Sequence, residues 1–547
     1  QRHPLRDSNE TMAFAAVMLA ALLTLPSVAS YDVAVVSMSM HLNVLLPIAN
    51  SLASRGHNVT IYSNSEARTQ LKDRLDVNFH DLGALGAKFD VAAAMKQVSE
   101  SPSASFKTAR LMVNLFGGIG TEVFTPGLLA AFSAHRPDVT VSDPITLGAA
   151  DVAEKLGIPN VWVSFMPLTM TSSVMGLHYG YAPHLPILDM AFAQSMVTMK
   201  WHTRLTNALI KPLLTQGFPR ILGYARTRSR VLLGLPPVTF LMEPTVPTRV
   251  VCARFYGYEP AMALPPFFTV TGPMEAEAYR QSTPESQTVA LQPLQALIDD
   301  SDEVLVVVFG RFVNLLEAQL AAILTHLNTL TATTAGQPRF SAVFGLRDPD
   351  TLARCGVTPG PRVHIEVWLP QQALFAHPKV TMAVHHGGPS SAFEALFGGV
   401  ASLAVGKIPD QYNNAAQLVD AGAGLRLDLD ALTHASFGAA LSELVTRRVT
   451  LGSRARQLGE MALATPGARG VAEAVEETVA LGVAHLWPAN YALPYFQFME
   501  YDVLAMYFAL AMLAHSLGSC CWRGCWRRAT RGRASGGAPA KLTAKAD

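Results

Sequence analysis

The sequence predicts an α/β protein made of two alternating strand–helix blocks, with an apolar helix near its C-terminal end. Three observations carry this. The chain has 547 residues, more than a single core usually organises. Short apolar runs alternate with helical periodicity in two separate stretches, one opening at Tyr31 and one at Glu303. Between them, residues 273–302 are polar and weakly periodic, with Ser282-Thr-Pro-Glu-Ser-Gln287 at their centre, and read as a linker.

The first block, 31–272, opens with a strand at Tyr31–Ser37, a helix from Leu42 to Arg55 stopped by Gly56, and a second strand at Asn58–Tyr62. This strand–helix–strand unit implies a parallel sheet. A second unit runs from Asp138–Ser142 through a helix ending at Leu156 to the strand Asn160–Ser164. Asp151 and Glu154 fall on that helix and read as surface carboxylates. Residues 167–245 are rich in Met, Pro and aromatic side chains with weak periodicity, and read as helices and loops over a pocket. The second block, 303–466, opens with the strand Glu303–Phe309. Ligand is expected in the cleft between the blocks, at the carboxyl ends of the strands.

The densest chemistry lies between Trp368 and Gln411. Val380–Val384 is a short apolar strand, His385-His386-Gly387-Gly388 follows, and Pro389-Ser390-Ser391-Ala-Phe-Glu394 opens a helix with proline in its first turn. This order presents free backbone N–H groups and the positive end of a helix dipole to an anion. A diphosphate can be held there without a metal. An indole stacks on a base, a carboxylate accepts from ribose hydroxyls, and Asp410-Gln411 suit sugar hydroxyls, so the spread fits a nucleotide sugar.

The segment resembles the signature of the UDP-glycosyltransferases, an inverting family of GT-B fold. Trp368-Leu-Pro-Gln371, His377-Pro, His386-Gly-Gly-Pro-Ser-Ser391-Ala-Phe-Glu394, Gly399-Val-Ala401 and Asp410-Gln411-Tyr-Asn-Asn414 follow the family pattern without a gap. The resemblance implies two Rossmann-like domains facing a cleft. It implies that Trp368 stacks on uracil, Gln371 bonds the uridine and Glu394 holds the ribose. His386 and Ser391 then contact the diphosphate, helped by backbone at Gly388 and Ser390, and Asp410 and Gln411 bind the transferred sugar. UDP-sugar is then a co-substrate, with no metal and no other cofactor expected.

The resemblance also implies a general base at His41, after the first strand. The chemistry needs one, because an acceptor hydroxyl is a poor nucleophile until its proton is taken. Asp143, after the strand ending at Ser142, falls at the family's aspartate, which fixes the imidazole tautomer. A helix-cap role is open to both residues. His57 reads as structural.

Three positions depart from the pattern. Ala401 and Gly406 stand where the family has proline, which loosens the loop before Asp410. Arg311, in Phe309-Gly310-Arg311, stands where a serine usually faces the phosphates. It can supply a direct charge contact, obstruct the site or face solvent. The leading expectation is transfer of a hexose, glucose or glucuronic acid, to a hydroxyl of a small lipophilic acceptor with inversion. A catalytically impaired nucleotide-sugar-binding protein is the alternative, and hydrolysis or epimerisation of the nucleotide sugar a third reading.

Net charge is +1 with 15% charged residues, which gives no nucleic-acid footprint. Residues 12–30 read as a secretory signal. Residues 503–521 are uncharged and about long enough to span a bilayer, with Glu500 and Asp502 before them and Arg523, Arg527, Arg528, Arg531 and Arg533 after. The basic side belongs in the cytosol. The expectation is a single-pass type I membrane protein with lumenal domains, a basic cytosolic tail at 522–547 and, from the family, residence in the endoplasmic reticulum. A helix lying on the membrane is the other reading. Residues 467–501 are expected, from the family, to form helices crossing back to the first domain. Cys252 and Cys355 read as free thiols. Cys520, Cys521 and Cys525 at the membrane boundary are open to acylation or to plain packing. Nothing in the sequence decides oligomeric state.

Overall fold

A computed structural model of the chain describes residues 29–71, 77–86, 89–101, 106–168, 170–171, 175, 201, 223–310, 313–332, 336, 338–488, 497 and 501–534. Most of the signal segment and most of 167–245 lie outside the described residues. Two parallel sheets dominate residues up to Leu486. The first runs in the order β3-β2-β1-β4-β5-β6-β7, with β1 Asp32–Val36, β2 Asn58–Ser63, β3 Asn78–Asp81, β4 Val139–Ser142, β5 Asn160–Ser164, β6 Arg249–Cys252 and β7 Phe268–Val270. The second runs β10-β9-β8-β11-β12-β13, with β8 Glu303–Val308, β9 Phe340–Gly345, β10 Val363–Glu366, β11 Val380–His385, β12 Ala401–Gly406 and β13 Gly424–Asp428. Both orders reverse direction after the first strand of the sheet, between β1 and β4 and between β8 and β11. Such reversals leave a crevice at the carboxyl ends of the two strands.

The strands alternate as a doubly covered sheet requires. Val33 and Val35 pack on one face of the first sheet with Leu45, Ile48 and Leu52. Ala34 and Val36 pack on the other with Ile119, Phe124 and Phe132. In the second sheet Leu305 and Val307 take one face, and Val304, Val306 and Val308 the other. Each such aliphatic side chain contributes roughly 1.5–3 kcal/mol on burial.

The polar stretch 273–302 is helical. It forms Glu275–Gln281, Pro284–Leu291 and Gln295–Asp299, and Leu291, Leu294 and Ile298 join the core of the second sheet. Its apolar positions are too sparse for a clear helical period, because each short helix buries only one or two of them. The chain returns to the first lobe after the long helix His434–Leu463. The helix Ala468–Leu481 then buries Ala468, Val471, Ala472 and Val475 in the first core, at helical spacing. Glu476 on it accepts from Arg55 Nε and Nη2, both at 2.7 Å, and lies 2.9 Å from His57 Nε2. His57 is therefore a tie between the first strand–helix unit and this helix.

The two passages between lobes run side by side. Gly467 N–H donates to Thr271 O at 2.6 Å. Gly272 has φ +95°, and a Cβ there would lie 1.7 Å from Thr465 Oγ1. A shared apolar cluster also joins the lobes, with Phe255, Tyr258 and Ala276 against Phe393, Leu396 and Leu418.

Residues from Trp487 onward form a separate unit. Its described part is the helix Tyr501–Ala534, of which Tyr501–Arg528 is a candidate membrane span. A second helix of sufficient length and apolarity, Val113–Ala134, is mostly buried and belongs to the core of the first lobe.

Glu476→Ala is expected to cost about 1–2 kcal/mol of stability, since the charged bonds it removes are partly exposed. Urea denaturation of the two chains checks this; an unchanged midpoint would remove the tie from the fold's account.

Candidate active site

The residues expected to act follow the carboxyl ends of parallel strands, and three of them, together with Gly310, sit at the reversal points. His41 follows β1 and Asp143 follows β4. Gly310 follows β8 and His386 follows β11. Trp368 follows β10 and Asp410 follows β12.

His41 occupies the N-cap of the helix Leu42–Ser54, but its side chain makes no capping bond. Instead Nδ1 lies 3.3 Å from Asp143 Oδ1, and the ring packs at 4.8 Å from Phe165. Asp143 is fully buried. Its Oδ1 accepts from Ile145 N–H at 2.9 Å and Thr146 N–H at 3.0 Å, and its Oδ2 from Thr146 Oγ1 at 2.5 Å. It thus caps its own turn and meets His41 as well. Burial opposes its charge, yet His41 and the donors from Thr146 and Ile145 outweigh this and hold the carboxyl below its usual range. An ionised carboxylate only accepts, so Nδ1 must carry the hydrogen and Nε2 is left as a base.

Across the cleft, the turn after β11 is built by glycine. Gly387 has φ +79°, and a Cβ there would lie 2.9 Å from Gln411 O. A Cβ at Gly388 would lie 2.3 Å from His386 Nε2, and one at Gly310 would lie 2.6 Å from His386 Cε1. The His386 ring is therefore held between two residues that must lack side chains. Burial pushes its pKa down to about 4, so it is a neutral hydrogen-bonding group near pH 7. The helix Pro389–Gly398 starts here, and the N–H groups of Ser390 and Ser391 in its first turn have no intrahelical partner.

Gln371, Ser391 and Glu394 come together. Gln371 Nε2 donates to Ser391 Oγ at 3.1 Å and to Glu394 Oε2 at 2.5 Å. Burial, and then the Glu275 carboxylate, push Glu394 up to about 8 against this bond. Trp368 stands just before this group and is 72% exposed, an unusual setting for an indole and one that leaves a face for stacking.

Two side chains are committed elsewhere. Ser390 Oγ donates to Glu275 at 2.5 Å. Gln411 Oε1 accepts from Lys407 N–H at 2.9 Å and Ile408 N–H at 3.2 Å, which caps its own helix. Asp410 is half-buried and is pushed up to about 6 by burial, with His41 and Arg254 acting in the opposite direction. Arg311 lies outside the described residues. Among the described residues no group of three or more His, Cys, Asp or Glu is arranged to hold a metal ion.

The family comparison follows from this arrangement. A family model described as "UDP-glucoronosyl and UDP-glucosyl transferase" matches residues 29–533. The chain belongs to this family. Its relatives in this transferase family include "UDP-glycosyltransferase 1" of Phaeomoniella chlamydospora, 27% identical over 55% of this chain and 60% of that protein. The human "UDP-glucuronosyltransferase 2A2" is 25% identical over 73% of each chain. The match to the fungal protein thus spans less than two thirds of its length. Among solved structures, the glycotransferase of kitacinnamycin superposes with a TM-score of 0.55 at 19% identity, covering 82% of this chain and 99% of that one. The calicheamicin glycosyltransferase CalG4 superposes with a TM-score of 0.51 at 17% identity, over 82% and 98%. The fold is the GT-B fold.

Several residues that shape the cleft are not evident from sequence. Arg254, just past β6, is fully buried. It pairs with Glu259 and donates through Nη2 to Asn414 Oδ1 at 2.9 Å and Gln417 Oε1 at 2.6 Å. Asn414 Nδ2 in turn donates to Gly387 O at 2.9 Å. Lys407 Nζ is buried and donates to Ser101 O at 2.8 Å and Asp430 at 2.5 Å. The only local cue for Arg254 is a cation directly after an apolar strand. Asp151 and Glu154 are not surface carboxylates. Asp151 is buried against Arg226 and Arg230, each at 2.7 Å, and Arg230 also pairs with Glu154. Their partners lie far along the chain, beyond the reach of local periodicity.

Two outcomes follow. Removing the guanidinium in Arg254→Met strands the buried Glu259 charge and is expected to cost about 3–5 kcal/mol; Arg254→Met with Glu259→Leu should recover part of it in urea titrations. Glu394 has an ordinary value of 4.5 and a folded value of about 8. Between these, the folded chain keeps a proton that the unfolded chain has lost, so stability falls as pH rises through that window. The melting temperature of ligand-free Glu394→Gln should therefore gain on the wild type from pH 5 to pH 8. A constant difference would mean that Glu394 ionises normally.

Proposed function

We propose that this protein transfers a hexose, glucose or glucuronic acid, from a UDP-sugar to a hydroxyl group of a small lipophilic acceptor, with inversion at the anomeric carbon. The observation that carries this reading is the His41–Asp143 pair, buried at one reversal point and opposed by the Gly387–Gly388 helix start at the other. Family membership supports the donor class, and the human relative's name supports a glucuronosyl donor.

In this reading His41 Nε2 takes the proton of the acceptor hydroxyl as its oxygen attacks the anomeric carbon. The carbon–oxygen bond to UDP breaks on the opposite face, which inverts the centre. Asp143 stabilises the imidazolium that forms. The leaving diphosphate gains negative charge beside the N-terminus of the Pro389–Gly398 helix, Ser391 and neutral His386. Trp368 stacks on the uracil, while Gln371 and Glu394 hold the uridine. Glu394 accepts from the ribose hydroxyls. Asp410 holds the transferred sugar, and Gln411 reaches it only through its amide nitrogen. The helix Tyr501–Ala534 anchors the enzyme as a single-pass type I protein of the endoplasmic reticulum, with its lobes in the lumen. The donor is a co-substrate, and the mechanism asks for no metal.

The deciding measurement is UDP release by membranes carrying the chain, with UDP-glucose or UDP-glucuronate and pooled sterols and phenols. Release is expected to need an acceptor. His41→Ala is expected to lose about 10²–10⁴-fold, and Asp143→Asn a comparable factor with little change in donor affinity. Release that survives His41→Ala, or that proceeds without acceptor, would falsify the transfer mechanism.

A further inference from the structure

We infer that Cys520, Cys521 and Cys525 form an S-acylation site, modified by long-chain fatty acyl groups delivered as coenzyme A thioesters. The inference goes beyond the transferase reading and rests on the helix Tyr501–Ala534 entering a membrane.

The chain has five cysteines, and three fall within one and a half turns of this helix. At 100° and 1.5 Å per residue, Cys521 and Cys525 lie on nearly the same stripe about 6 Å apart along the axis, while Cys520 lies about 100° round the helix from Cys521 and about 1.5 Å from its level. All three are exposed. No charged side chain lies between Asp502 and Arg523, so Cys520 and Cys521 occupy the end of the apolar interval and Cys525 follows just past Arg523. Trp522 and Trp526 stack at 6.4 Å on the adjoining face and are both strongly exposed. Their amphipathic rings belong at the headgroup level. Arg523, Arg527 and Arg528 fix that level from the other side, beside anionic lipid headgroups.

Two independent cues therefore set the depth of the thiols, the tryptophan pair and the arginine flank. At that depth a thioester carbonyl sits among the lipid esters while its chain lies in hydrocarbon. Among the described residues the thiols do not converge with other ligands on a metal ion. The remaining cysteines are unlike them: Cys252 is buried within the first sheet and Cys355 is half-buried.

The step is a thioester exchange. The cysteine thiol gives up its proton, and its sulfur attacks the acyl carbonyl. The carbonyl bond to the coenzyme A sulfur breaks, and the coenzyme A thiolate leaves and takes up a proton. No oxidant or reductant is involved. The attached chains return into the bilayer beside the helix, and strengthen an anchor whose uncharged length is close to the minimum of about 20 residues.

The test uses the full chain in membranes of expressing cells. Free thiols are blocked with N-ethylmaleimide, thioesters are cleaved with neutral hydroxylamine, and the released thiols are tagged with a polyethylene glycol maleimide of defined mass. The wild type should show hydroxylamine-dependent mass steps, up to three. Cys520→Ser with Cys521→Ser and Cys525→Ser should show none, while Cys252→Ser with Cys355→Ser should keep them all. Incorporation of an alkynyl fatty acid, lost in the same triple variant, gives a second readout that does not depend on tag access. Absence of hydroxylamine-dependent steps in the wild type overturns the site, and so do steps that persist in the triple variant. Release of the wild type from membranes by alkaline carbonate overturns the membrane placement on which the site depends.

Discussion

The buried guanidinium of Arg254 is the constraint on which the cleft depends. A fully buried cation is tolerated only when its donors are used. Here one ring of contacts uses them: Glu259 from its own lobe, and Asn414 and Gln417 from the other. The aromatic faces of Tyr258 and Phe393 close around the group, at 5.4 and 5.1 Å. Because Asn414 also holds the carbonyl of Gly387, the Gly387–Gly388 turn is positioned from the opposite lobe. The two lobes therefore share one polar network at the base of the cleft and one apolar cluster beside it.

Carboxyl groups in the cleft fall into two classes by environment. Asp143 is buried but receives donors on both oxygens, which keeps it charged and able to orient an imidazole. Glu275, Glu394 and Asp410 are driven toward the neutral form by burial. The neighbouring Glu275 adds to the upward shift of Glu394. A neutral acid repels an anion less than a carboxylate does.

Local patterns in the sequence were enough for the strands flanking His41 and Asp143, and for the strand–glycine–helix unit at Val380–Gly398. Both depend on contiguous residues: an apolar run, a glycine pair, a proline in the first helical turn. What the patterns could not supply depends on partners remote in the chain. Asp151 meets Arg226 and Arg230 from helix to helix, and Lys407 reaches Ser101 across the cleft. Neither is written in any periodicity. The polar stretch at 273–302 hid its helices because each is too short to repeat an apolar period. Gln411 shows a further limit. Its place in the chain suits a sugar ligand, yet its oxygen is taken up in capping the helix it begins.

The paired passages between the lobes have a mechanical consequence. A single linker would let one lobe swing and twist freely about a point. Here the chain crosses at Thr271–Gly272 and again at Thr465–Gly467, and a backbone hydrogen bond joins the two crossings. Two fastened points define a line, and rotation about that line is the soft motion left to the lobes. Torsion across it would break the bond and drive Thr465 into the backbone at Gly272, where there is no room for even a methyl group. The paired crossings therefore resist twist between the lobes more than bending about the line they define.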